Sequence, residues 1–369
     1  MDFSEIKFDC KYFKGGIPCK PNKQYNYTCS DCPVYTKIEK RILIIKLGAL
    51  GDVIRTTPLL VKYKELYPNA HITWVTWSPS ILPQNEIDVI YALDAVSIFN
   101  LQSAEFDIAI NLDKEEEACK LLTQVKSVEK FGFVWKDNHI DIANTSSAHK
   151  LFTGLFDDLS KNNTKSYLEE IFEICNLKFN LEPYLINLNE TISDKWKKQF
   201  SELNDENGKR KPLIGLNTGC GPRWNTRLWP TENWEKLATL LFKAGYLPVF
   251  LGGELENEKN IHLSKVTGGY YPGYFSLEEF IALTNSMDLV VTQVSMMMHI
   301  ATALQKKMVL MNNIFNKNEF ELYGRGEIVG PPNECVCFYG NSCSKGNSCM
   351  HDILPEKILE VIEKNTKKK

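Results

Sequence analysis

The sequence predicts an α/β protein of two parallel-sheet units, and three observations predict it. Short apolar, β-branched runs alternate with helical patterns from Arg41 to about Phe133. The same alternation restarts at Leu213 after a more polar passage. The 369 residues, 43% of them apolar, supply chain and core for two domains at ~150 residues each.

In chain order, Arg41–Lys46, His71–Val75, Asp88–Tyr91, Asp107–Leu112 and Val128–Phe133 read as strands. After the first of them, Val53, Ile54, Leu59, Leu60 and Tyr63 recur at helical spacing. The stretch from Ala148 to Leu177 is more helical and polar. Asn187–Asn207, running into Glu206-Asn207-Gly208-Lys209, reads as the passage between units. Leu213–Leu216, Leu247–Leu251, Leu289–Thr292 and Met308–Met311 are the strands of the second unit, with helices starting near Thr231, Leu255, Ser276 and Ser295. Ser276-x-x-Glu279 fits a capping box ahead of Phe280, Ile281 and Leu283. No internal repeat or low-complexity segment is visible.

The charge balance, 43 basic against 46 acidic side chains for a net −3, gives no electrostatic case for nucleic acid as a partner. The lysine tail, Lys364 and Lys367 to Lys369, reads as a solvated end, with peripheral contact to an inner membrane as the most it would support. No apolar run reaches the roughly 18 residues of a membrane span. The start MDFSEIKFDCKYF has neither a basic n-region nor an apolar h-region, so the expected location is the cytoplasm.

Function is concentrated in Lys46-Leu47-Gly48-Ala49-Leu50-Gly51-Asp52, a glycine loop between the first strand and the first helix. A single carboxylate there stands where an α/β enzyme places a catalytic base. Gly48-x-x-Gly51 lacks the first glycine of the dinucleotide fingerprint, and no Lys-Ser or Lys-Thr follows to make a Walker loop. The plain alternative is a tight turn whose Asp52 caps a helix.

The string RILIIKLGALGDVIRTTPLLVKYKELYPNAHITWVT, with Asn111-Leu112-Asp113-Lys114-Glu115, Thr226-Arg227-Leu228-Trp229-Pro230, Asn233-Trp234, Leu251-Gly252-Gly253-Glu254 and His299-Ile300-Ala301, resembles the family 9 glycosyltransferases, the bacterial ADP-heptose heptosyltransferases. The resemblance implies a GT-B fold, two Rossmann-like domains facing a cleft, here with cysteine-rich terminal extensions. Residues 41–190 would form the acceptor domain and 191–330 the nucleotide-sugar domain. Residues 1–40 and 331–369 carry the cysteines, and the last helix, Pro355–Lys364, is expected to return to the first domain.

The resemblance also implies an inverting transfer of heptose or a similar sugar from ADP-heptose to a hydroxyl of a glycan, lipid-linked or protein acceptor. Asp52 occupies the family's base position, with Asp113 in reserve. Gly48, Gly51, Asp113 and Lys114 would face acceptor or sugar, a structural ion pair being the alternative for Lys114. The small-residue loop Asn217–Arg223, with Thr218, Gly219 and Arg223, suits close backbone approach to phosphate oxygens. Arg227 stands where the family has Lys or Arg, which implies that it neutralises the leaving ADP and that no catalytic divalent cation is needed. The alternative is a surface arginine beside a core Trp229 and Trp234. Glu254 resembles the family's ribose contact, or is simply a charged helix start. His299 is implied at the donor site, although a lone helical histidine is ordinarily structural.

One departure stands out. Where the family carries Asp-Thr-Gly, this chain has Val294-Ser295-Met296, so Ser295 and Met296 change the grip on the donor. Met296, Met297 and Met298 make an apolar wall there or belong to the core. A transferase using another nucleotide sugar and a non-catalytic, metal-braced binding subunit of a surface-glycosylation complex are the rival readings.

Eight of the eleven cysteines fall into two terminal groups. Cys10, Cys19, Cys29 and Cys32 include a Cys-x2-Cys knuckle, which in a reducing compartment favours structural zinc or iron over free thiols or disulfides. Cys335, Cys337, Cys343 and Cys349 form a possible second group of non-standard spacing. Related heptosyltransferases carry cysteines near this end, and the glycosyltransferases that modify autotransporter proteins have a cysteine-held iron. The returning last helix would bring the two groups together.

Overall fold

The computed structural model describes residues 2–203, 210–333, 335, 337–343 and 346–367, so Glu206-Asn207-Gly208-Lys209, Lys368 and Lys369 lie outside the described residues. Strands Arg41–Ile45 (β1), His71–Thr76 (β2), Val89–Ala92 (β3), Glu105–Asn111 (β4), Lys126–Lys136 (β5) and His139–Ile142 (β6) form one sheet in the order β3-β2-β1-β4-β5-β6. All pairings are parallel except β5 with β6. In the centre, Ile42 faces Ile72 on one neighbour and Ile108 on the other. Ile42 to Ile45 are fully buried, as a parallel sheet covered on both faces requires. The period of two sends Ile42 and Ile44 towards Trp74 and Ile110, and Leu43 and Ile45 towards Val75 and Leu122.

Strands Leu213–Asn217 (β7), Leu247–Leu251 (β8), Leu289–Gln293 (β9), Lys307–Met311 (β10) and Gly326–Val329 (β11) form a second, wholly parallel sheet in the order β11-β10-β9-β7-β8. One apolar cluster runs from Ile42 and Ile44 through to Val249, Leu251, Met297 and Ile300, joining the units. Helices Leu50–Ile54 and Met296–Ala303 pack against each other at this junction. The helix Glu190–Ser201 lies against Leu277–Asn285, where Asn285 Nδ2 donates to Ser193 Oγ at 2.9 Å. Ser276 caps Leu277–Asn285, accepting from the Glu279 N–H at 3.4 Å.

Two strands were not legible in the sequence. β6 closes a hairpin through Asp137 and Asn138, both at positive φ, and its half-polar His-Ile-Asp-Ile lacks the apolar run of an inner strand. β11 is a four-residue edge that opens on Gly326.

The last helix, Pro355–Lys367, does not return to the first domain. Its stripe Ile358, Val361 and Ile362 is buried among Ile214, Leu216, Trp234, Leu237 and Val309 of the second unit. Trp229 Nε1 donates to Ile353 O at 3.0 Å just ahead of it. The apolar face of Thr231–Lys243, with Trp234, Leu237 and Leu241, needs a cover, and this stripe at helical spacing supplies it. Replacing Ile358 with Ala should cost about 2–5 kcal/mol in denaturant unfolding, and a cost near zero would contradict this packing.

No helix among the described residues is long and apolar enough to cross a membrane.

Candidate active site

The cleft is built from strand ends. β1 and β4 are neighbours, so the loops that follow them meet. Asp113 accepts from Lys46 Nζ at 2.5 Å, from Leu47 N at 2.5 Å and from Gly48 N at 3.4 Å. Asn111 holds Asp113 from behind, accepting its N–H at 2.9 Å. The structure therefore places Asp113 beneath the glycine loop, buried and fully engaged, not in the cleft where an acceptor contact would need it. Its carboxylate compensates the buried Lys46 and two loop amides, which explains why it is inside.

Asp52 rides on the first turn of Leu50–Ile54, its side chain about one-third exposed. Arg55, one turn on, forms an ion pair with it, Nε to Oδ1 at 2.9 Å. Burial alone would raise the Asp52 pKa, but Arg55, Lys46 and the Ala49 backbone together hold it below the usual carboxylate range. Asp52 is thus ionised at neutral pH, the state a general base requires. Gly48 abuts Trp77. At Gly51 a Cβ would stand 2.6 Å from His299 Cδ2, so only glycine lets the second domain come this close.

His299 lies on Met296–Ala303 and is buried, stacked on Tyr184 with centroids 6.2 Å apart. Burial, and then Arg55, push its pKa down to about 3, so it is neutral. Its Nδ1 has no hydrogen-bond partner among the described residues. Lys114 Nζ donates to Lys150 O at 2.8 Å and sits 5.2 Å from the Phe133 ring centre. Burial and the neighbouring Lys150 bring its pKa down to about 8.

Across the cleft lies a cavity of about 440 Å3. Of the expected donor residues, Gly219, Glu254, Ser295 and Met296 line it, with Met297, Phe275 and Phe280 as its apolar wall and Leu50 contributed by the helix of Asp52. Met298 is core. The other expected donor residues lie outside the lining. Thr218 is buried, its hydroxyl donating to Asn260 Oδ1 at 2.6 Å. Arg223 stacks exposed on Trp224, 4.3 Å from the ring centre. Arg227 is no surface arginine: it is buried, donating from Nη2 to Cys220 O at 2.6 Å and from Nη1 to Val294 O. It thereby ties together the two loops that wall the cavity. Trp229 and Trp234 are core, edge to face at 4.8 Å.

Sequence reasoning missed Glu256, Arg55 and Glu319. Glu256 lines the cavity, accepts from Gly253 N at 3.0 Å, and leaves no room for a Cβ on Gly219, which would stand 2.2 Å from it. Arg55 was detectable as the i+3 partner of Asp52 on a helix. Glu319, more than 260 residues from Arg55 in the chain, carried no local signal.

Cys10, Cys19, Cys29 and Cys32 line one small cavity with Tyr12, Phe13, Tyr27 and Tyr35. This segment is clipped to the first sheet by Lys11, which donates to Ala70 O at 2.9 Å and pairs with Asp88. In the second group, Cys337 N donates to Cys335 Sγ at 3.4 Å, and burial with a hydrogen bond to Cys349 pushes the Cys335 thiol up to about 12. That group rests on the second domain, where Thr226 Oγ1 donates to Gly340 O at 2.6 Å. The two groups are therefore anchored on different domains, because the final helix stays on the second. Among the described residues, no three His, Cys, Asp or Glu side chains are already arrayed to hold a metal.

The family model described as glycosyltransferase family 9 (heptosyltransferase) matches residues 98–326, more than half the chain, and leaves the Asp52 loop outside the match. None of the curated proteins matches. Among solved structures, a family 9 glycosyltransferase from Veillonella parvula is 20% identical with a TM-score of 0.68, covering 89% of this chain and 98% of its own. The ADP-heptose LPS heptosyltransferase II of E. coli is 18% identical with a TM-score of 0.63, covering 88% of this chain and 98% of its own. The iron-containing dodecameric glycosyltransferase TibC from enterotoxigenic E. coli is 12% identical with a TM-score of 0.53, covering 90% of this chain and 80% of its own. With its two parallel sheets facing a cleft in the GT-B manner, the chain belongs to glycosyltransferase family 9, the heptosyltransferase family, and is a glycosyltransferase.

Proposed function

We propose that the enzyme transfers a heptose or similar sugar, with inversion, from an ADP-sugar to a hydroxyl of a surface glycan, lipid-linked or protein acceptor. The observation that carries this is the juxtaposition of an ionised, partly exposed Asp52 with the cavity walled by Gly219, Glu254 and Ser295, which Leu50 of the same helix also lines. The acceptor oxygen attacks the anomeric carbon as its proton passes to Asp52, and the bond from that carbon to the diphosphate oxygen breaks. Charge growing on the departing ADP meets the backbone amides of the loop after β7 and the fixed charge of Arg227. Because Arg227 supplies that charge, the reading requires no catalytic divalent cation. Residues 41–190 would hold the acceptor and 191–330 the donor. The reaction belongs in the cytoplasm, with contact to a membrane at most peripheral.

A second reading, another nucleotide sugar, is favoured by Ser295 and Met296 lining the cavity where the family has Asp-Thr-Gly. Calorimetric titration separates the two. Binding of ADP at least ~10-fold tighter than UDP or GDP is expected, and the reverse order would shift the donor assignment.

The first four cysteines fit a structural metal by donor chemistry, four sulfurs on one cavity including a Cys-x2-Cys pair. A zinc or iron there would brace the terminal segment against the first sheet. TibC is an iron-containing neighbour, which supports including iron. Anaerobically purified protein should carry about one metal per chain at this site, lost in the double variant Cys29→Ser/Cys32→Ser, and metal-free wild type would contradict the site.

A further inference from the structure

The first domain and the second meet at a strap, residues 316–319. Asn316 Nδ2 donates to Ser160 O at 2.9 Å and to Asn163 O at 2.6 Å, and Asn318 Nδ2 donates to Asn163 O at 3.2 Å. The strap delivers Glu319 to Arg55, whose Nη1 donates to Glu319 Oε1 at 2.7 Å. Tyr339 holds the other oxygen of Glu319 at 3.4 Å. Arg55 lies over Tyr167, its guanidinium carbon 3.5 Å from the ring centre, and its Nε is 2.9 Å from Asp52 Oδ1, an ion-pair contact without hydrogen-bond alignment. The guanidinium is thus held by a ring of its own domain and a hydrogen bond to a carboxylate of the other domain, and in that position it lies in ion-pair contact with Asp52. A planar guanidinium that stacks on a ring while one nitrogen bonds a carboxylate holds a geometry that a lysine ammonium cannot.

We propose that Arg55, anchored across the domain boundary by Glu319, is a positioning residue that aims the Asp52 carboxylate into the cleft and keeps it ionised. This rests on the reading of Asp52 as the base. The consequence is that docking of the strap and the aim of the base are coupled through one side chain.

The groups facing Asp52 are Arg55 on its own helix, Lys46 at the end of β1 and neutral His299 on Met296–Ala303, with the phenols of Tyr167 and Tyr184 behind. Removing Arg55 leaves Lys46 in place, so the Asp52 pKa should rise towards the ordinary carboxylate value without losing all cationic support. Because a base acts deprotonated, activity falls as pH drops through that pKa, and a higher pKa moves this loss to higher pH.

The test is the pH profile of ADP release for the wild type, Arg55→Met, Arg55→Lys, Glu319→Ala and Asp52→Asn. In Arg55→Met the acidic limb should move up by about one pH unit and kcat at pH 7 should fall ~10–100-fold, with donor KM within about 3-fold. Arg55→Lys should restore the limb but only part of kcat. Glu319→Ala, which leaves the Arg55–Asp52 pair itself intact, should lower kcat ~10-fold at unchanged donor KM, and it reads the same device if Arg55→Met does not fold. An unmoved acidic limb in Arg55→Met, or full kcat in Glu319→Ala, would overturn the assignment of Arg55. Full turnover in Asp52→Asn would instead remove Asp52 as the base, a separate outcome.

Discussion

Asp52→Asn should lower turnover by ~10²–10⁴, the range a positioned general base contributes, while donor affinity changes less than about 2-fold. The amide keeps the size of the side chain and can still face Arg55, so the loop held by Asp113 and the packing of Leu50–Ile54 on Met296–Ala303 should survive. On the proposed reading, what disappears is the group of the glycine loop that takes the acceptor's proton. Steady-state kinetics with calorimetric donor titration read the two parts separately. Turnover near wild type would leave the loop a structural turn, its aspartate serving only the helix start.

Arg227→Ala should be nearly as damaging, and in a different pattern. The guanidinium bridges Cys220 O and Val294 O, the carbonyls of the two loops that wall the donor cavity, from a buried position. On the proposed reading its removal takes a fixed positive charge from behind the loops that would hold the departing diphosphate, for which a loss of ~10²–10³ in kcat is expected. Two carbonyls also lose charged donors, costing about 2–5 kcal/mol of stability, visible as an earlier denaturant midpoint. Arg227→Lys should recover stability and activity only in part, since an ammonium cannot reach both carbonyls in one plane. Unchanged kcat with lowered stability would make Arg227 a brace alone.

Much of the architecture could be read because the inner strands of each sheet are parallel and buried, which writes them as short apolar runs such as Arg41–Ile45 and Leu247–Leu251. Edge strands escape that signal, as β6 and β11 did. The final helix was misplaced for a related reason. The stripe Ile358, Val361, Ile362 says that the helix is amphipathic, but not which complementary face receives it, and the apolar face of Thr231–Lys243 is specified hundreds of bonds away. In the site, Asp52, Gly219, Glu254 and Ser295 were legible because they follow strands, where loops gather at the carboxyl ends of a parallel sheet. Asp113 follows a strand too. Its burial comes from compensating Lys46 and two amides, a three-dimensional requirement that a motif does not state. Arg55 and Glu319 meet only because the domains do.

The most direct test of the account is ADP release from ADP-heptose, with UDP- and GDP-sugars in parallel, by wild-type enzyme supplied with a cell-envelope acceptor. Acceptor-dependent ADP release with ADP-heptose is expected, lost in both Asp52→Asn and Arg227→Ala. Tight ADP-heptose binding without turnover, or turnover only with a UDP- or GDP-sugar, would contradict it.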